Sequence, residues 1–238
     1  MTEVQLFTCE NDYGVVFDNS LSEVSDYFST NFVGFDFLTL TQDIDSFASD
    51  NSLFFDFIAA GINAQTFHME WVARDNSTYD FLLERTLLLR DGVRTAIHDI
   101  FTLPERLQGQ GKAKVILLAF YKQYVSASIQ RIEVLAGKFI GGYAWALYGF
   151  EATEPTTVVE IIELGRAHPD ITLAQSSLHL KIFADFYAQN PPDAPFPMRD
   201  LATSPGGKSL LRGRSWNGVL DLQNSLKREL FETYLGLI

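Results

Sequence analysis

The sequence predicts a mostly α-helical fold, and three observations carry that expectation. Ser20 followed by Glu23 is a capping-box signature ahead of an apolar stripe at Leu21, Val24, Phe28 and Phe32. Two long segments, 75–100 and 112–136, read as helical, broken only at Asp91-Gly92 in the first. Strand signals are confined to residues 1–73, where "TFHMEWVA" at 66–73 alternates apolar and polar.

Taken in order, "VQLFTCENDYGVVF" reads as a hairpin, or as an arm that gains structure only against a neighbour. Asp75 to Ser77 supply an N-cap for the segment that ends at Leu103-Pro104. Residues 112–136 form one long candidate helix, and "GKFIGGYAWALYGF" continues it as a nearly all-apolar, central segment. Thr157 and Glu160 suggest a second capping box before "VVEIIELGRAH". "DITLAQSSLHLKIFADFYAQ" is an amphipathic helix that stops at Pro191-Pro192, and "VLDLQNSLKRELFETYLGLI" closes the chain as another. No internal repeat and no interdomain linker stands out.

Composition narrows the class. The chain has 238 residues, 47% hydrophobic and 20% charged, which describes a packed globular protein with a sizeable core. The single cysteine, Cys9, rules out a disulfide framework and fits a reducing compartment. No basic, signal-like segment follows Met1, and the most membrane-like segment, Phe139 to Phe150, is too short to span a bilayer. An intracellular location without membrane insertion is expected. The net charge of −12 is uneven, because residues 1–73 hold 12 acidic and no basic side chains. Residues 74–150 hold 10 basic against 7 acidic ones. That asymmetry suits a basic partner or head-to-tail self-association, and equally a solvated acidic surface.

Catalytic and metal motifs are scarce. The four histidines are scattered with no H-E-x-x-H or E-x-x-H spacing. "GRSWNG" misses the nucleophile elbow because Asn217 takes the place of its last glycine. The pairs Asp43/Asp45 and Glu160/Glu163 read as solvated helix faces. Residues 202–209, "ATSPGGKS", satisfy a loose phosphate-loop pattern, but no buried strand precedes them and only 29 residues follow. Neither enzymatic activity nor a cofactor is expected.

Several blocks, in order, resemble the nucleoproteins of phleboviruses and tenuiviruses, segmented negative-strand RNA viruses. They are "FVGFDFLTLTQDI" (32–44), "TLLLRDGVR" (86–94), "GKAKVILLAFYKQY" (111–124), "SIQRIEVLAGKFIGGYAWAL" (128–147), "AHPDI" (167–171), "LRGR" (211–214) and "LKRELFETYLGL" (226–237). Residues 45–75 look inserted relative to that family, and the acidic first third is unlike it. The resemblance implies an all-helical, two-lobed core with an N-terminal arm: residues 1–18 the arm, 19–110 one lobe, 111–238 the other. It implies a protein that encapsidates single-stranded viral RNA in a basic groove and polymerises through its arm, with the viral polymerase as a further partner. The setting would be the virion ribonucleoprotein and the host cytoplasm. The RNA-binding residues implied are Arg90, Arg94, Arg106, Lys112, Arg131, Arg212 and Arg214 for phosphates, with Phe32 and Phe35 for bases. Two other readings stay open: an acidic inhibitor or immunity-type module that mimics nucleic acid through residues 1–73, and a phosphate-ligand enzyme using loop 202–218 through Lys208.

Overall fold

The computed structural model describes residues 15–63, 65–75, 78–137 and 141–238. Among these the fold is mixed α/β, which corrects the all-helical expectation. The chain divides into two compact units, Met1–Arg131 and Ile132–Ile238.

In unit 1 a short strand β1 (Val15–Phe17) leads to helices α1 (Leu21–Asn31) and α2 (Phe37–Asp50). The Ser20/Glu23 capping box is present: the Ser20 hydroxyl accepts from the Glu23 N–H, and the Glu23 carboxylate accepts from the Ser20 N–H at 3.0 Å. Asp36 caps α2 by accepting from the Thr39 N–H at 2.9 Å. Then come four strands, β2 (Phe55–Asn63), β3 (Thr66–Asp75), β4 (Thr78–Arg90) and β5 (Val93–Thr102). They form an antiparallel meander, with β1 added in parallel beside β2. The end of the proposed arm therefore pairs with the chain's own β2, and residues 1–14 lie outside the described ones. The segment 45–75, expected to be an insertion, supplies the end of α2 and two inner strands.

The segment 75–100 was expected to be helical and is instead β4 and β5. Asp91 and Gly92 both have positive φ, 52° and 77°, which is the two-residue hairpin turn that matches strand twist. The strand period is hidden because both faces of β4 are apolar. Phe81, Leu83 and Leu87 point inward and are fully buried, yet Leu88 on the other face is also buried. The fourth inward position is Arg85, fully buried, with its guanidinium 5.5 and 5.2 Å from the Phe101 and Phe120 ring centres.

After a 3-10 turn at Glu105–Leu107, α3 (Lys112–Ser126) crosses the same sheet face as α1 and α2. Phe28 of α1 meets Phe67 at 4.6 Å, Phe37 of α2 meets Trp71 at 5.9 Å, and Phe120 of α3 meets Trp71 at 5.8 Å. The expected helix 112–136 is corrected at this point. Ser128 turns the chain with a φ of 54°, and β6 (Arg131–Ala136) follows with Ile132, Val134 and Ala136 buried in alternation.

Unit 2 carries α4 (Gly141–Leu147), β7 (Glu151–Ala152), α5 (Pro155–Arg166), α6 (Leu173–Tyr187), β8 (Phe196–Pro197), α7 (Met198–Ala202), α8 (Gly207–Leu211), β9 (Trp216–Asp221) and α9 (Ser225–Leu235). Its strands lie in the order β6-β9-β7-β8. α5 begins at Pro155 after Glu154, so proline at the first helical position, not a Thr157 box, starts it. The C-terminal segment is a strand before it is a helix: β9 runs to Asp221 and Asn224 caps α9. Trp216 anchors this core by donating from Nε1 to the Gly142 carbonyl at 3.1 Å.

Candidate phosphate-binding site

Within unit 1 the sequence-derived phosphate contacts lie at two ends of the sheet. Arg90 is exposed at the β4–β5 turn. Arg94, at the start of β5, has a structural contact: its Nε donates to the Asn31 carbonyl at 2.6 Å. Its backbone is clipped to Gln130 at 2.9 Å in both directions, which brings Arg131 to the same end of the sheet. Arg106 and Lys112 lie beyond the other end of β5, about 25 Å away along the strand at ~3.3 Å per residue. Arg212 and Arg214 belong to unit 2, where Arg212 is exposed and Arg214 has a buried Nε without a hydrogen-bond partner. Phe32 and Phe35 are 0% and 4% exposed, so neither offers a face on which a base could stack. Phe28 packs on both of them, at 6.3 and 5.3 Å.

What the structure does build is a loop that joins the C-terminal end of β5 to the N-terminus of α3, residues 103–111. Its first half is held by its own side chains. Gln108 donates from Nε2 to the Leu103 carbonyl at 2.8 Å, and Gln110 donates to the Arg106 carbonyl. Its second half, Gly109-Gln110-Gly111, takes φ values of 72° and 75° at the two glycines, a left-handed backbone that glycine adopts without a Cβ clash. Nothing lies within 4 Å of where a Cβ would stand on either glycine, so the space over the loop is open.

The helix start beside this loop is unlike a stability-optimised one. Gly111 is the N-cap of α3 and offers no side-chain acceptor. The first turn holds no acidic residue, whereas Lys112 and Lys114 both stand there. Lysines at the positive end of a helix dipole are unfavourable unless an anion joins them. No side chain caps the first N–H groups of α3. Successive N–H groups around left-handed glycines, at a helix N-terminus and flanked by cations, form a concavity suited to phosphate oxygens. The sequence already shows this signal as "QGQGKAK". Sequence reasoning missed it because the preceding segment was read as helix, and a phosphate loop needs a strand before it.

The sheet face turned away from the three helices carries a group of titratable side chains. Glu70 and Glu84 are paired across β3 and β4, and His68 is paired with Thr86. His68 Nδ1 lies 3.2 Å from the Thr86 hydroxyl, which in turn donates to Asp99 at 2.8 Å. The Glu84 carboxyl is pushed up from its ordinary value, chiefly by partial burial and then by Glu70, with Asp99 adding to the effect and His68 and Arg85 opposing it. Asp99 lies three residues before the end of β5, so this group is about 10 Å along the strand from where the loop begins. No cluster of His, Cys, Asp or Glu that could hold a metal ion exists among the described residues.

No protein-family model matches the chain, and no curated protein matches it. Among the described residues no helix is long and apolar enough to cross a membrane.

Proposed function

We propose that the chain binds the diphosphate of a nucleotide-type carrier cofactor, the chemistry of coenzyme A, through loop 108–113, and transfers the carried group to an amine at the acidic face of the unit 1 sheet. The observation that carries this reading is the uncapped N-terminus of α3, with two left-handed glycines before it and lysine at its first position. Two comparisons of chemistry narrow the ligand. Nucleotide hydrolysis in phosphate loops uses a Ser or Thr after the lysine to hold Mg²⁺, and here Ala113 follows Lys112. Dinucleotide sites place their loop in a parallel sheet, whereas β2–β5 are antiparallel. The diphosphate is thus a handle and not the reacting group.

The acceptor class follows from charge. Glu70, Glu84 and Asp99 attract a cation, and a primary amine reaches a protein as its ammonium form. Glu84, its carboxyl pushed up by partial burial and by Glu70, serves as the base that takes the ammonium proton. The freed amine would then attack the carried acyl carbon, the C–N bond forming as the C–S bond breaks, and the nitrogen's surplus proton would pass to the leaving thiolate.

Of the cations expected to hold an RNA backbone, Arg106 and Lys112 keep a phosphate-binding assignment in this reading. Single-stranded RNA is therefore the competing ligand. Calorimetric titration of the full chain with coenzyme A, ADP and a single-stranded oligoribonucleotide tests the choice. Saturable binding of coenzyme A, weakened by Gly111→Ala, is expected. Binding of the oligonucleotide with none of coenzyme A would overturn the reading and favour RNA encapsidation.

A further inference from the structure

The outer face of the unit 1 sheet holds a row of hydrogen bonds whose protons can be placed. The Thr86 hydroxyl donates its one proton to the Asp99 carboxylate at 2.8 Å. Toward His68 Nδ1, 3.2 Å away, the same oxygen is therefore the acceptor. His68 thus carries its proton on Nδ1, and in the neutral ring Nε2 keeps a lone pair. Among the described residues Nε2 takes no hydrogen-bond partner. A carboxylate acts on the imidazole through an intervening hydroxyl, fixing its tautomer and balancing its charge when a second proton arrives.

The backbone is shaped for this relay. Between β4 and β5 the register skips Asp99, since Glu84 lies opposite Ile100 and Arg85 opposite His98. Asp99 is the extra residue of a β-bulge, a device that re-aims a side chain. The buried Arg85 holds the bulge from beneath, its Nη1 donating to the Glu84 carbonyl at 2.6 Å and the Ile100 carbonyl at 2.7 Å. On the other side of His68 its partner in β2 is Gly61, where a Cβ would meet the Asp18 carboxylate at 3.0 Å. The charged groups around the ring are therefore Asp18, Asp99 behind Thr86, and Glu70 and Glu84 one row along, with Arg85 under the sheet.

We propose that His68 carries the second proton of the transfer, with Thr86 and Asp99 as its positioning residues. Nε2 takes the surplus proton from the nitrogen as the C–N bond forms and delivers it to the sulfur as the C–S bond breaks. The ring begins and ends neutral. The ammonium group loses one proton to Glu84 and one through His68 to the thiol. This role rests on the acyl-transfer reading, in which Glu84 handles only the first proton.

Two measurements on the full chain test it. NMR of the His68 ring nitrogens at about pH 8, above the ordinary histidine range, reads the tautomer without any ligand. The Nδ1–H form is expected in the unaltered chain and in Thr86→Ser, and its loss in Thr86→Val, which keeps the shape without the hydroxyl. A predominant Nε2–H form in the unaltered chain overturns the proposal. The second measurement is thiol release from acetyl-coenzyme A, with putrescine as the amine probe. His68→Gln should slow it about a hundredfold at unchanged coenzyme A affinity, the scale of a lost general acid–base group. Thr86→Val should slow it less, and Thr86→Ser should restore it. Coenzyme A that binds but is turned over equally, or not at all, with and without His68 overturns this role alone. Coenzyme A that does not bind overturns the acyl-transfer reading and the role together.

Discussion

Two glycine-rich stretches in this chain end in Gly-Lys, and they do opposite things. "QGQGK" (108–112) stands in open space with two left-handed glycines, ahead of a 15-residue helix that lacks a cap. "SPGGK" (204–208) is packed inside unit 2. Gly206 is left-handed too, with a φ of 82°, but a Cβ there would meet the Gln175 side chain at 3.2 Å. A Cβ on Gly207 would strike the Leu201 and Ala202 carbonyls. The Pro205 carbonyl accepts from His179 Nε2 at 3.0 Å, and Ser204 donates to the Leu201 carbonyl at 2.7 Å. One set of glycines leaves room for a ligand, and the other lets one part of the chain approach another.

That contrast breaks most sharply at Gly207. Gly207→Ala forces two carbonyls apart and should cost about 3 kcal/mol, near the upper end for overpacking. In a chain of this size that lowers the melting temperature by roughly 6–12 °C. An unchanged thermal scan would contradict the packed reading of "SPGGK". Gly109→Ala and Gly111→Ala together meet no neighbour and strain only the backbone, about 1–2 kcal/mol per position. Their larger effect should be on coenzyme A affinity, down at least about tenfold by calorimetry, because the N–H groups no longer converge.

The two lysines sharpen the comparison at smaller scale. Lys112→Ala should weaken coenzyme A binding by roughly tenfold, the size of a charge-assisted phosphate contact, whereas Lys208→Ala should leave it unchanged. Equal losses would mean that the stretches are not functionally distinct. The smallest effect concerns pH. Burial holds His179 below its ordinary value of 6.5, with its bond to Pro205 partly opposing. A depressed histidine contributes stability above 6.5 that is lost as pH falls through its folded-state value. Melting temperature should therefore decline on acidification below that point, and His179→Gln should flatten the decline.

Where a local rule sufficed, the structure was legible in advance. The Ser20/Glu23 box starts α1, the alternation at 66–73 marks β3, and 173–187 is the helix expected before Pro191. These features are satisfied within a few residues of themselves. The β4–β5 hairpin was not legible. Asp91-Gly92 between apolar runs is a hairpin signal, but Leu, Glu and Arg in "LLERTLLLR" favour helix. The charged Arg85 at an inward position also broke the alternation. With 75–100 read as helix, the loop at 103–111 lacked the preceding strand that a phosphate-loop reading requires.

The sequence by itself determined the Ser20/Glu23 cap, the alternation of β3 and the absence of Lys and Arg from residues 1–73. Each depends on neighbours along the chain, where bonding range is short and partners are fixed by spacing. Only the tertiary structure decided that Phe32 and Phe35 are core residues rather than a base pocket. It likewise decided that Arg85 is buried between rings and that one Gly-Lys loop is open while the other is packed. Burial and free space depend on what approaches from elsewhere in the chain, and no local spacing encodes that distance.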